Sequence, residues 1–175
     1  MATTSYAIAV GSNRRGRHGS PAAEVRAALA LLGGVVSPVA LSAPLGPSTR
    51  RFANAVTIVE SGEQPDRLLA RLQAIERGFG RRAGRRWGAR VLDLDIILWS
   101  GGMWSRRRLT VPHVAFRTRD FVLMPLATLV PHWRDPVTSR TVRQLRARLT
   151  ARRAPPSRAH PLVRARSSVG RATDF

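Results

Sequence analysis

Short stretches of alternating apolar and small residues open the chain. Tyr6, Ile8 and Val10 alternate with Ala7, Ala9 and Gly11, the two-residue period of a buried strand that ends at a glycine. A polar loop runs from Gly11 to Gly19. Ser20-Pro21 then has the form of a helix start, with serine at the N-cap and proline at the first helical position. Val25, Ala28, Leu29 and Leu32 recur at helical spacing until Gly33-Gly34 stops them. Residues 35–41 read as a second strand, broken by Pro38 and therefore near a sheet edge. Residues 42–48 are turn-rich. From Asn54 to Glu60, Val56, Ile58 and Glu60 share one strand face, and Ala55, Thr57 and Val59 the other. Pro65 opens a second helix whose inward stripe is Leu68, Leu69, Leu72, Ile75 and Glu76, closed by Gly78 and Gly80.

An arginine- and glycine-rich loop over residues 81–90 leads into Leu92 to Trp99, the most strand-like run in the chain. Gly101-Gly102 turns it, and residues 109–113 lead into another loop. Helices are expected from Phe121 to Leu129 and from Val142 to Leu149. The connections are short, which favours an α+β sheet with antiparallel pairing over a doubly wound parallel one. Beyond about Thr150 no packable face remains. The expected organisation is a folded domain over residues 1–150 and a disordered basic tail over residues 151–175.

Composition narrows the partners. A chain of 175 residues suits one domain, and 43% hydrophobic residues exclude wholesale disorder. No apolar run is long enough to cross a bilayer, and the first residues show no signal-peptide pattern. There is no cysteine, so disulfides and thiolate chemistry are excluded and a reducing cytoplasm is expected. The net charge is +20, and every one of the 30 basic residues is arginine. Selection for charge alone would mix in lysine, so part of the excess reflects coding bias. Residues 1–145 still hold 22 arginines against 9 acids, a net +13. Charge of that size favours polyanions: nucleic acid, an acidic membrane or a nucleotide triphosphate.

Candidate chemistry concentrates in three places. Asp93 and Asp95 lie two apart inside an apolar strand, so both carboxylates point to one face while Leu94 and Ile96 face the core. Paired like charges there repel unless a cation sits between them. Magnesium suits such a pair, because it takes oxygen ligands and shares them with substrate phosphates. The alternative is a strand with one solvated face. Second, Arg81, Arg82, Arg85, Arg86 and Arg90 surround Trp87 just before the aspartates, in a loop suited to phosphate or simply solvated. Third, Arg108, His113 and Arg119 precede Phe121 and could meet phosphates; a histidine after a proline is also a common structural hydrogen-bonder. Asn54, two residues after Phe52, offers an amide that can pair with a heterocycle edge. No lysine exists to complete a GxxxxGK[ST] phosphate loop.

Taken in order, these segments resemble one family. They are Gly11-Ser12-Asn13, Pro44-Leu45-Gly46-Pro47, Phe52-Ala53-Asn54-Ala55, Gln73-Ala74-Ile75-Glu76, then residues 86–96 (RWGARVLDLDI) and 109–113 (LTVPH). The resemblance is to the 6-hydroxymethyl-7,8-dihydropterin pyrophosphokinases and covers roughly residues 5 to 148. It implies a ferredoxin-like α+β sandwich, with a mainly antiparallel sheet flanked by helices. It implies a cytoplasmic monomer that transfers pyrophosphate from ATP to the hydroxymethyl group of the reduced pterin in folate biosynthesis, releasing AMP. By the family's motif Asp93 and Asp95 hold two magnesium ions, and Arg81, Arg86 and Arg90 act with them in catalysis. Arg82, Arg108, His113 and Arg119 would join the phosphates. Leu69, Gln73, Glu76, Trp87, Ile96, Leu109 and Thr110 would line the nucleotide site, and Trp87 would also close over the pterin. Ser42, Ala43 and Leu45 would meet the pterin edge, Phe52 and Phe121 its faces, and Asn54 would hydrogen-bond it. No nucleic-acid or membrane partner is implied. The charge alone supports a competing reading, a basic nucleic-acid-binding module, and an inactive relative of the family is a further alternative.

Overall fold

The structure, a computed structural model, describes residues 3–43, 51–80 and 90–153. In chain order the elements are β1 (Thr4–Ser12), α1 (Pro21–Leu32), β2 (Val35–Val36), β3 (Ala40–Ser42), β4 (Phe52–Ser61), α2 (Pro65–Gly78), β5 (Asp93–Trp99), β6 (Trp104–Arg106), β7 (Leu109–Val111), α3 (Asp120–Leu129) and α4 (Val142–Arg153). The main sheet runs β2-β4-β1-β5, with β3 also on β4, and every pairing is antiparallel. Counting β2 and β3 as one interrupted strand, this is the βαββαβ order of a ferredoxin-like α+β fold, as expected.

Pro38 accounts for the interruption. It supplies no N–H to the ladder. Ser37 bridges the gap: its N–H donates to the Val56 carbonyl and its hydroxyl accepts from the Val56 N–H, both at 2.9 Å. Gly34, with φ of 85°, lets the turn before β2 pass so close to the Ile58 carbonyl that a side chain there would collide with it.

Alternation in β1, β4 and β5 separates two cores. Ile8, Val10, Ala55, Leu94 and Ile96 face α1 and α2, where Val25, Leu29, Leu68 and Leu72 meet them. Ala7, Val56 and Ile97 face α3 and α4, against Leu123, Leu126 and Val142. Each fully buried leucine in these layers stabilises the fold by about 1.5–3 kcal/mol. The α1 start follows the expectation: the Ser20 hydroxyl accepts from the Ala23 N–H at 3.3 Å, and Pro21 opens the helix.

Several expectations need correction. β1 does not end at Gly11 but passes through it to Ser12. The segment before His113 is not simply a loop, because Leu109–Val111 pairs with Trp104–Arg106 as a hairpin. α4 continues to Arg153, four residues past the expected helix end at Leu149; residues 154–175 lie outside the described ones. The β1–β5 register also shifts between Ala7 and Ile8, so Ile97 and Leu98 both enter the α3–α4 core.

Candidate active site

One row of residues crosses the sheet at the end of β1. Asp93 of β5 lies opposite Gly11, Gly11 lies opposite Asn54 of β4, and Asn54 lies opposite Ala40 of β3. Directly opposed residues share a sheet face. Asp93, Asp95, Asn54 and Phe52 therefore project from the face that α3 and α4 cover further along, as does Ser42 opposite Phe52. Gly11 has no side chain, so a bare floor separates Asn54 from Asp93 by two strand spacings, roughly 10 Å.

At the acidic end of this row, basic side chains converge from three segments. Arg90 forms an ion pair with Asp93 through Nη1 and Oδ1. Oδ2 of Asp95 has His113 Nε2 at 4.0 Å and Arg119 Nη1 at 3.9 Å. The Arg119 guanidinium also lies over the Phe121 ring, 5.9 Å from its centre. His113 is placed by its backbone: its N–H donates to the Ile97 carbonyl on the outer edge of β5 at 3.0 Å. Its Nδ1 accepts the Ala115 N–H at 3.2 Å, which leaves the ring proton on Nε2, facing Asp95.

The electrostatics match this crowding. Burial pushes the Asp95 carboxyl above the usual carboxylate range and the neighbouring Asp93 charge adds to it, while His113, Arg119 and Arg90 offset part of the rise. Burial lowers the His113 imidazole below its ordinary value against the pull of Asp95. Because the folded value of Asp95 lies above the unfolded one, its stabilising contribution is fully present below the unfolded value and is lost as pH rises through the folded one. Asp95→Asn is therefore expected to raise the Tm of the metal-free protein at pH 7. The side chain is 38% exposed and its repulsion is screened, so the gain should be only about 1–3 °C. A lower Tm for the variant would show that Arg119 and His113 outweigh burial and Asp93.

At the other end of the row, Asn54 is buried and its Nδ2 donates to the Ser42 hydroxyl at 2.8 Å, which fixes the amide's orientation. Phe52 and Phe121 are half-buried and Ala43 is exposed. The residues assigned to a nucleotide lie around the β5 edge. Gln73 and Thr110 are exposed, and Leu69 and Leu109 are half-buried against the α1–α2 core. Arg108 is exposed in the β6–β7 turn. Ile96 and Glu76 differ in being buried: Ile96 belongs to the core, and Glu76 Oε1 accepts the Leu94 N–H at 2.9 Å, which holds β5 to α2. Arg81, Arg82, Arg86, Trp87 and Leu45 lie outside the described residues.

Two residues without an assigned role also belong to this region. Gly11 provides the floor; a glycine within an alternating strand was the available signal. Asn13 exchanges two hydrogen bonds with Arg90, accepting its N–H on Oδ1 at 2.7 Å and donating its own N–H to the Arg90 carbonyl at 3.1 Å. Nothing in the spacing of residues 13 and 90 announces that contact.

The architecture comes first. Among solved structures, a crystal structure of Plasmodium falciparum HPPK-DHPS with pteroate superposes with a TM-score of 0.67, covering 86% of this chain and 45% of that one. At 13% identity the likeness concerns the fold. The family follows from the sequence: the chain belongs to the 7,8-dihydro-6-hydroxymethylpterin-pyrophosphokinase (HPPK) family, whose profile matches residues 7–131. Similar relatives are named 2-amino-4-hydroxy-6-hydroxymethyldihydropteridine pyrophosphokinase. That of Pseudomonas aeruginosa is 47% identical over 102 residues, which are 58% of this chain and 63% of the relative. That of Synechocystis is 39% identical over 59% of this chain and 53% of its own length. That of Haemophilus influenzae is 39% identical over 131 residues, 70% of this chain and 79% of the relative. The matched part thus spans between about half and four fifths of these relatives.

Proposed function

We propose that the protein transfers the pyrophosphoryl group of ATP to the hydroxymethyl oxygen of 6-hydroxymethyl-7,8-dihydropterin, releasing AMP, as a step of folate biosynthesis. The observation that carries this reading is the row Asn54–Gly11–Asp93. An amide that can pair with a heterocycle edge and an acidic pair suited to a metal and phosphates stand on one sheet face, with Gly11 between Asn54 and Asp93. Membership of the pyrophosphokinase family supports it.

In this reading the pterin lies over the Asn54 end, its ring edge hydrogen-bonded by the amide and its faces against Phe52 and Phe121. ATP crosses the β5 edge, its base towards Gln73, Leu109 and Thr110 and its phosphates towards Asp93 and Asp95. Asp93 and Asp95 are hard oxygen donors on one strand face, and burial, with the neighbouring Asp93 charge added, raises the Asp95 carboxyl. The pair fits a divalent ion such as magnesium, two by the family's pattern. Bound there, the metal supplies neutralising charge on the phosphate oxygens.

The side chains do the positioning. The pterin hydroxyl oxygen attacks the β-phosphorus, and the bond from that phosphorus to the α–β bridging oxygen breaks. The hydroxyl hydrogen leaves as a proton, and AMP departs with the bridging oxygen. Arg119, the His113 Nε2–H and Arg90 supply donors where charge builds on the phosphates. Arg81, Arg82, Arg86 and Trp87 belong to the same reading as further phosphate and ring contacts. So does a cytoplasmic monomer, since a cysteine-free sequence suits a reducing compartment.

Purified protein with ATP, magnesium and the reduced pterin is expected to release AMP only when the pterin is present. A basic nucleic-acid module would behave otherwise: no AMP, and oligonucleotide binding that weakens steeply with salt.

A further inference from the structure

Glu24 is fully buried on α1 and takes no part in the chemistry above. Its neighbours on the inward face of the helix are Val25, Ala28 and Leu29. A carboxyl group in such surroundings is costly unless it is satisfied. Its hydrogen bonds come from the loop between β1 and α1. Oε1 accepts the His18 backbone N–H at 2.5 Å, and Oε2 meets His18 Nδ1 at 2.7 Å. The loop is closed on itself by two backbone hydrogen bonds between Gly16 and Gly19, each 3.2 Å. Gly16 is wedged between the Glu24 carboxyl and the Val91 side chain, with no space for a Cβ.

The same loop begins with Asn13, whose two hydrogen bonds grip the backbone of Arg90. Glu24 thus pins His18, His18 and Gly16 hold the loop, and the loop seats Arg90 and Val91. Arg90 in turn pairs with Asp93. We propose that His18 and Glu24 are positioning residues for Arg90: through the β1–α1 loop they set where its guanidinium meets Asp93, and so tune the site for the triphosphate. This rests on the functional reading above. A structural role limited to stability would not require the loop to begin with a two-way grip on the arginine that pairs with Asp93.

The test is calorimetric titration with magnesium and α,β-methylene-ATP, and separately with the reduced pterin alone. His18→Ala removes the ring nitrogen that meets Glu24. His18→Asn restores a donor close to the position of Nδ1. Asn13→Ala cuts the relay at its other end. Both alanine variants are expected to weaken the nucleotide analogue about tenfold, while pterin binding stays within about twofold and His18→Asn recovers most of the loss. Unchanged analogue affinity in the alanine variants overturns the proposal. So does equal loss of analogue and pterin, or failure of His18→Asn to recover binding. A wild-type protein that binds no analogue overturns the functional reading as well, which separates the two failures.

Discussion

Asp95→Ala is expected to lower turnover by at least about 100-fold, the scale of losing one group that stabilises transition-state charge. Asp93→Ala should do the same. These are the only two acids in the sequence spaced two residues apart. Other acids are engaged in structure: Glu24 with His18, Glu63 with Arg71, Glu76 with Leu94 and Asp135 with Arg117. Because the two aspartates act as one unit, the double variant should lose little more than either single one. Asp95→Asn separates charge from shape. It keeps the size of the side chain and should be as inactive as alanine, while the metal-free fold becomes slightly more stable. Measuring initial AMP release at saturating substrates decides the matter, and near-normal rates in both single variants would sink the magnesium assignment.

Gly11→Val should be nearly as damaging for a different reason. A Cβ at this position would already stand 3.2 Å from Asn54 Oδ1, tighter than ordinary contact. The valine methyl groups would rise from the floor between the pterin and phosphate ends of the row. Misplacement of reacting groups by about 1 Å can cost on the order of 100-fold, and kcat/KM for the pterin should fall by about that factor. The fold should tolerate the change, since valine is favoured over glycine within a strand. Gly11→Ala should show a smaller loss in the same direction. A valine variant with normal kcat/KM would show that the substrates do not meet over Gly11.

How far the sequence alone carried this account depends on the geometry involved. The aspartate pair was legible because residues two apart on a strand share a face whatever the strand packs against. The N-cap at Ser20 and the break at Pro38 were legible for the same reason, as local backbone chemistry. The β6–β7 hairpin was not, because three-residue strands beside Arg106-Arg107-Arg108 show no alternation to detect. The bulge at Ile97 depends on the register between β1 and β5, which local patterning does not encode. Gly11 looked like a strand end for a similar reason: its place opposite both Asn54 and Asp93 exists only once three strands are aligned. His113 and Arg119 reach Asp95 from the segment after β7; the residue types mark them as candidate phosphate contacts, but no spacing rule brings them to Asp95. Glu76 faces inward, as its place in the helical stripe implies, and its hydrogen bond to the Leu94 N–H makes it a brace for β5.

In the proposed reaction the chemistry occurs at the β-phosphorus, with the pterin oxygen as nucleophile. Incubation with magnesium, the reduced pterin and ATP labelled in turn at the α- and β-phosphorus tests it most directly. The β-label is expected on the pterin in equal amount to the AMP formed, and all of the α-label in AMP. Labelled ADP, or β-label released as free phosphate or diphosphate without a pterin adduct, would contradict it.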